Sequence, residues 1–311
     1  MKGVILDANS LGDIDLEPIV SSLDNWEVFG TTKPGEIADR IVDADVVLSN
    51  KVFLGNEVLN SAQKLKFISV MATGINNIDL HAAQKLDIKV SNAIAYATPS
   101  VAQHTINLML NLSTNLVEYV SDTRKGQWQK SDVFCRLDHP IIEMSGKKLG
   151  IIGYGELGKA VATIAKAFGI EILLARDMPL PQLLGSVDYL SLHCPLTQNN
   201  AYMINKQTLA EMKPSAFLIN TARGGLVNSA DLIEALENGI IAGAAIDVLE
   251  VEPAINNEVL IKATHLKNLL VTPHNAWGAI ESRKRLVIQM RENIDAYLAG
   301  KPIRQVTGIY S

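Results

Sequence analysis

The chain has 311 residues, 48% of them hydrophobic and 20% charged, which places it among globular proteins and excludes the disordered and fibrous classes. At about twice the length of a typical domain it has enough apolar sequence for two cores, and two domains are expected. Lysines and arginines number 28 against 33 acidic residues, so the net charge of −5 offers no electrostatic attraction to nucleic acid or to an anionic membrane.

Through the first hundred residues, short apolar runs (Val4-Ile5-Leu6, Asp45-Val46-Val47-Leu48, Phe67-Ile68-Ser69-Val70 and Ile88-Lys89-Val90) alternate with helical spacing over 34–42 and 55–62. The pattern is β-α-β-α with a mostly parallel sheet, a small α/β domain. Pro99-Ser100 starts a long helix predicted to reach about Thr123, with Val101, Ile106, Leu108, Met109, Leu112, Leu116 and Val117 apolar at helical intervals. Residues 126–140 are polar and irregular. A second alternation begins at Lys147, with strands predicted over 148–152, 171–175, 188–193, 216–220, 244–248 and 268–272. Helices are predicted between them over 157–168, 206–212 and 229–237, and a last helix over Ile280 to Leu298 carries the chain back. Such alternation argues a doubly wound open sheet inserted into the smaller domain. The expected domains are 1–99 with 284–311, and 100–283.

No apolar run approaches the roughly 18 residues needed to span a bilayer, and Asp7 interrupts what would be the apolar region of a signal peptide, so a cytoplasmic protein without membrane contact is expected. Cys135 and Cys194 form neither a C-x-x-C pair nor a disulfide framework, and no Cys/His cluster has zinc spacing. Two reduced thiols and no metal are expected.

Gly153-Tyr154-Gly155-Glu156-Leu157-Gly158 places G-x-G-x-x-G directly after a strand and at the start of a helix. There, Gly153 permits the tight turn, Gly155 lets the backbone approach a pyrophosphate, and Gly158 lets the helix pack on the strand, while the helix N-terminus presents amides and partial positive charge. The acidic residue expected about 20 positions on is answered by Arg176-Asp177. Asp177 suggests NAD, Arg176 suggests NADP, and a solvated charge pair ahead of Pro179 and Pro181 is a third reading.

Three later strand ends carry chemistry. Asn220-Thr221-Ala222-Arg223-Gly224-Gly225 sets an arginine at a strand's carboxyl end, where ligands bind in open α/β sheets and where its fork can clamp a carboxylate. Glu252-Pro253 follows the strand ending at Ile246-Asp247-Val248, and His274 follows the next strand in Val271-Thr272-Pro273-His274. Taken alone, Arg223 and His274 also read as surface residues and Glu252 as a turn residue. Together, after a phosphate cradle, they suit hydride transfer on a hydroxy acid: an anchor, a proton donor, and an acid that charges and orients the histidine.

These motifs, over essentially the whole chain, resemble the D-isomer-specific 2-hydroxyacid dehydrogenase family. Within it, Ser49-Asn50-Lys51, Thr73-Gly74-Ile75-Asn76-Asn77-Ile78-Asp79 and Leu192-His193-Cys194-Pro195-Leu196 are similar to the glycerate dehydrogenases, also called hydroxypyruvate or glyoxylate reductases. The resemblance implies a Rossmann-type dinucleotide-binding domain inserted into a flavodoxin-like one. It implies that Arg223 holds the substrate carboxylate and carbonyl, that His274 is the acid/base with Glu252 its partner, and that amides near Thr73 and Gly74 grip the carboxylate, with Lys51 a further anchor. Thr105, Glu156, Leu157, His193, Cys194, Pro195, Thr221, Ala222, Asp247 and Ala276 would line the cofactor beside the glycines and Arg176 or Asp177. For Cys194, His193 and His104, simple packing is the competing reading. The implied cofactor is NAD, with NADP the alternative; the implied assembly is a homodimer; and no metal is required, because Arg223 polarises the carbonyl.

The chain departs from the family between Arg176 and Asp188, where the usual longer loop is compressed to Pro179, Pro181 and a short apolar turn. Past Lys301 no room is left for a regulatory domain, which argues against phosphoglycerate dehydrogenase activity. The expected reaction is reduction of a short 2-oxo acid, hydroxypyruvate or glyoxylate first, to the D-hydroxy acid. The rival is a non-enzymatic NAD-sensing interaction protein, as occurs among relatives that act as corepressors; no long polar extension suited to docking is present.

Overall fold

The computed structural model describes residues 1–254 and 258–306, so 307–311 of the expected first domain lie outside the described residues. The chain forms two compact units, Met1–Ala97 with Gly278–Ser311, and Thr98–Trp277.

The first unit holds five parallel strands, β1 (Lys2–Ile5), β2 (Asn25–Val28), β3 (Val46–Ser49), β4 (Phe67–Val70) and β5 (Lys89–Ser91), in the order β2-β1-β3-β4-β5. This is the flavodoxin-like doubly wound order. Helices α1 (Glu17–Val20), α2 (Ile37–Ile41), α3 (Asn56–Ser61) and α4 (Leu80–Lys85) connect them. All four residues of β3 and of β4 are buried, Ser49 and Ser69 among them, as in predominantly apolar strands of a sheet covered on both faces. β2 has no such signature: it is an edge strand, and three of its residues, Asn25, Glu27 and Val28, are exposed.

The second unit opens with α5 (Thr98–Thr114) and α6 (Leu116–Arg124) where the sequence predicts one helix. The helix breaks at Asn115, whose φ of +50° is left-handed, a conformation Asn tolerates better than most residues, and whose Nδ2 donates to the Pro140 carbonyl at 2.6 Å. Then follow β6 (Lys148–Ile152), α7 (Glu156–Ala167), β7 (Glu171–Leu174), α8 (Leu180–Ser186), β8 (Tyr189–Leu192), α9 (Lys206–Ala210), β9 (Phe217–Asn220), α10 (Ser229–Glu237), β10 (Gly243–Ile246), α11 (Val259–Lys262) and β11 (Leu269–Val271). The strands are parallel in the order β11-β10-β9-β8-β6-β7, so the order reverses at β6, the switch point of a doubly wound sheet.

The expected turn over 178–185 is instead α8. Pro181 lies in its first turn, where a missing N–H breaks no helical bond, and Leu183 and Leu184 are fully buried. This helix returns the chain directly from β7 to β8, leaving two strands in the first half of the sheet and β7 on its edge.

Helix α12 (Ile280–Leu298) belongs to the first unit. Its Leu286, Val287, Met290 and Ile294 are buried, and Tyr297 stacks on Phe67 of β4 at 4.5 Å between centroids. Among the described residues no helix is long and apolar enough to cross a membrane, and no group of three or more His, Cys, Asp or Glu is placed to hold a metal ion.

Candidate active site

The register of β6, β8, β9, β10 and β11 sets Ile152, Leu192, Asn220, Ile246 and Val271 in one row across the sheet. The residues that follow each, Gly153, His193, Thr221, Asp247 and Thr272, therefore line its carboxyl edge, and the candidate residues of this unit gather along it.

At the switch point, Gly153 has φ +96°, and a Cβ there would lie 2.4 Å from the His193 carbonyl oxygen and 2.6 Å from the Cys194 nitrogen. Gly158 is equally constrained, since a Cβ would fall 2.2 Å from the Gly153 oxygen. Gly155 differs: nothing lies within 4 Å of its would-be Cβ. The fold thus needs Gly153 and Gly158, whereas the space over Gly155 stands open at the N-terminus of the twelve-residue α7, whose N-cap contributes no side-chain hydrogen bond. An open approach to uncapped helix amides fits a pyrophosphate.

Beside this turn, His193 is held by Ser191 Oγ at 2.8 Å from its Nε2, while its buried Nδ1 has no hydrogen-bond partner. Burial pushes its pKa down to about 4, so the ring is neutral at physiological pH. Burial also pushes the Cys194 thiol up, away from nucleophilic use. Thr105 on α5 meets Thr221 at 3.1 Å between hydroxyls, and Glu156 accepts from the Thr98 hydroxyl at 3.2 Å. Leu157 packs against the core under α5, Ala222 is buried, and Pro195 is exposed with its carbonyl taking the Asn200 amide at 2.8 Å. At the end of β7, the Arg176 guanidinium lies 4.9 Å over the Tyr154 ring and its Nε lies 3.5 Å from an Asp177 carboxylate oxygen.

The strand-end triad divides into a contacting pair and a third member on an adjoining turn. His274 Nδ1 donates to Glu252 Oε2 at 2.5 Å, and the other carboxylate oxygen of Glu252 accepts the Leu249 N–H at 2.8 Å, so the acid is fixed by its own loop. With Nδ1 given to Glu252, Nε2 is left to carry a transferable proton. His274 itself is left-handed at φ +50°. Its N–H donates to the Asp247 carbonyl at 2.8 Å, and the N–H groups of Asn275 and Ala276 each donate to the Asp247 carboxylate at 3.1 Å. Arg223 leaves β9 on a turn pinned by buried Asn220, which accepts from the Ala222 N–H at 3.0 Å and donates to the Arg223 carbonyl at 2.8 Å. The next residue, Gly224, packs its backbone on the loop carrying Glu252: a Cβ there would fall 2.1 Å from the Leu249 carbonyl carbon. Glu250 ties that loop back by accepting from the Tyr202 hydroxyl at 2.7 Å and the Ser229 hydroxyl at 3.3 Å.

The candidate substrate residues Lys51, Thr73 and Gly74 belong to the first unit. Buried Asp7 accepts the backbone N–H groups of Asn50 at 2.9 Å, Lys51 at 2.6 Å and Val52 at 3.3 Å, fixing the loop that presents Lys51. Burial pushes the Asp7 carboxyl up, opposed by those three donors. Thr73 follows β4, and its carbonyl accepts from Asn92 Nδ2 at 2.8 Å. Asp7, Asn220, Glu250 and Thr272 are not picked out by the sequence as site residues. Their signal is a polar residue at the end of a buried strand or in the loop just beyond it.

The family model of the D-isomer specific 2-hydroxyacid dehydrogenase NAD binding domain matches residues 106–276. A glycerate dehydrogenase of Methylorubrum extorquens is 40% identical over 97% of this chain and 97% of its own length. The chain belongs to the D-isomer-specific 2-hydroxyacid dehydrogenases. A hydroxypyruvate reductase of Blautia hydrogenotrophica is 35% identical over 98% of this dehydrogenase and 99% of its own length. Among solved structures, an acyclic imino acid reductase in complex with NADPH and D-Arg superposes with a TM-score of 0.87 at 26% identity, covering 99% of this dehydrogenase and all of that chain. An NAD(P)-dependent oxidoreductase follows, and the non-enzymatic reading gives way to it. The dehydrogenase's glycine turn, its open approach at Gly155 and the orphaned His193 Nδ1 all fit a bound dinucleotide.

Proposed function

We propose that this dehydrogenase reduces hydroxypyruvate or glyoxylate to the D-2-hydroxy acid, with His274 as proton donor, Glu252 as its partner and Arg223 as the carboxylate and carbonyl anchor. The observation that carries the reading is the His274–Glu252 hydrogen bond at 2.5 Å, which commits Nδ1 and leaves Nε2 for proton transfer. When bound, the reduced nicotinamide supplies the hydride. His274 delivers the proton to the carbonyl oxygen as negative charge develops there, and the Arg223 guanidinium stabilises that charge while holding the substrate carboxylate. Lys51 and the segment at Thr73 and Gly74 add to carboxylate binding. Similarity to the glycerate dehydrogenase and hydroxypyruvate reductase supports the small oxo acids. A spectrophotometric panel of 2-oxo acids tests it: kcat/KM is expected to be highest for hydroxypyruvate and glyoxylate, with D-glycerate as the product of the former. A preference for a long or branched oxo acid would refute the substrate; NADH binding with no turnover of any would return the non-enzymatic reading.

NADH is the preferred cofactor in this reading, because Asp177 faces the guanidinium of Arg176, which rests on Tyr154, and its carboxylate opposes an added phosphate. Arg176→Ala should then leave the NADH preference in place and Asp177→Ala should relax it. Assembly as a homodimer is supported by exposed apolar side chains crowded between 116 and 141: Leu116, Val117, Trp128, Val133, Phe134 and Leu137, with Phe134 90% exposed. Light scattering should give twice the chain mass, and Phe134→Asp should lower it. A cytoplasmic site suits both free cysteines.

A further inference from the structure

The loop from Thr272 to Ala276 carries His274 and is held from behind by α5. At its start, the Thr272 hydroxyl donates to Asp247 Oδ1 at 2.5 Å, and His104 Nε2 lies 3.2 Å from the same hydroxyl. Because that hydroxyl hydrogen is given to the carboxylate, its oxygen is the acceptor and His104 Nε2–H the donor. At the loop's end, the Ser100 hydroxyl donates to the Ala276 carbonyl at 2.6 Å. Ser100 and His104 stand four residues apart on α5, on one helix face, so a single rigid surface meets both ends of the loop. Between them the Asp247 carboxylate, 1% exposed, grips the amides of Asn275 and Ala276. The residue so enclosed is the left-handed His274, a conformation that residues with a Cβ seldom adopt and that neighbouring contacts must impose.

We propose that two residues of α5, Ser100 acting through the Ala276 carbonyl and His104 acting through Thr272 and Asp247, are positioning residues that impose the backbone conformation of His274 from which its ring meets Glu252. The proposal rests on His274 being the proton donor. Asp247, assigned by resemblance to the cofactor, has its carboxylate occupied by three donors from the catalytic loop, which makes it first a clamp on that loop. His104 reaches the same carboxylate at 3.6 Å.

The test uses the full chain with Thr272→Val, Thr272→Ser, His104→Leu and His104→Gln, read by steady-state kinetics, NADH affinity and hydrogen exchange at the Asn275 and Ala276 amides. Misplacing a proton donor by about an ångström costs on the order of 10²-fold, so Thr272→Val and His104→Leu should lower kcat by roughly 10- to 100-fold. KM for the oxo acid and Kd for NADH should each move less than about 3-fold, since neither uniform substrate binding nor the glycine turn is touched. Thr272→Ser keeps the hydroxyl and His104→Gln keeps a donor at the Nε2 position; both should recover most of kcat. Exchange at Asn275 and Ala276 should accelerate in the Val and Leu variants and return in the Ser and Gln variants. Faster exchange with wild-type kcat overturns the positioning role, as does wild-type exchange with wild-type kcat. If His274→Gln itself turns over normally, the acid/base assignment has failed instead, and the exchange rates alone decide whether the clamp exists.

Discussion

Replacing Gly153 and Gly155 separately by alanine should break two different things, because the two glycines of one turn face different surroundings. At Gly153 the new methyl would sit 2.4, 2.5 and 2.6 Å from the His193 oxygen, the His193 carbonyl carbon and the Cys194 nitrogen, all backbone atoms of the adjoining strand end. No side chain can swing aside, and φ is +96°. Left-handed strain of about 1–2 kcal/mol and an overpacking cost of about 1–3 kcal/mol together predict a loss of about 2–5 kcal/mol, or roughly 4–20 °C in apparent Tm for a unit of this size. At Gly155 the methyl meets nothing within 4 Å and the backbone needs no left-handed conformation, so apo stability should match wild type. What the methyl fills is the approach to the helix amides. Losing one charge-assisted hydrogen bond to a phosphate, about 1.5–3 kcal/mol, predicts Kd for NADH weakened roughly 10- to 150-fold. Thermal melts of the apo proteins and a fluorescence titration with NADH read the two effects. Wild-type NADH affinity in Gly155→Ala, or a wild-type Tm in Gly153→Ala, would refute the reasoning about the cradle.

His274→Gln should retain NADH binding within a few-fold while slowing oxo-acid reduction by roughly 10² to 10⁴, the usual contribution of a positioned acid/base; a collapse of NADH affinity with unchanged rate per bound enzyme speaks against it. Arg223→Lys should lose most of kcat/KM despite keeping its charge, because an ammonium cannot reproduce the guanidinium fork; near-normal kinetics would move the carboxylate anchor to Lys51. His193 makes stability depend on pH. Its folded pKa of about 4 lies below the 6.5 of an unperturbed histidine, so the unfolded chain binds the extra proton first and stability falls as pH drops from about 6.5 toward 4. Between pH 7 and 4.5, wild-type apoprotein should therefore lose about 2–3 kcal/mol more than His193→Gln in urea unfolding; parallel losses in the two would contradict a buried neutral ring.

Much of the architecture is legible in the sequence because it depends on local pattern. β3, β4, β8 and β9 are buried at every position, and predominantly apolar runs, with Ser49, Ser69, Ser191 and Asn220 the one polar residue in each, report such strands directly. The glycine turn is legible for the same reason, since its meaning comes from the strand before it and the helix after it. Candidate roles for Arg223, Glu252 and His274 follow from their places after successive strands in a parallel sheet, where chain order alone puts them at one end. The edge strand β2 escapes this reading because an edge carries less burial and so less pattern. Helix α8 escapes it because seven residues opened by two prolines show too little periodicity to separate a helix from a turn.

What only the tertiary structure decides is which distant residues meet and which atom each one uses. Lateral pairing of Asn220 with Ile246, and of Ile246 with Val271, brings three strand ends side by side across more than fifty residues of chain. The pairing of His274 Nδ1 with Glu252 goes with a left-handed backbone at His274, a conformation that residues with a Cβ seldom adopt and that the local sequence does not announce. His104 lies 168 positions from the hydroxyl it meets, and in the sequence it is one polar residue on a helix. Such contacts are set by the packing of α5 under the carboxyl edge of the sheet, and packing is a property of surfaces assembled from many segments, so no single segment encodes it.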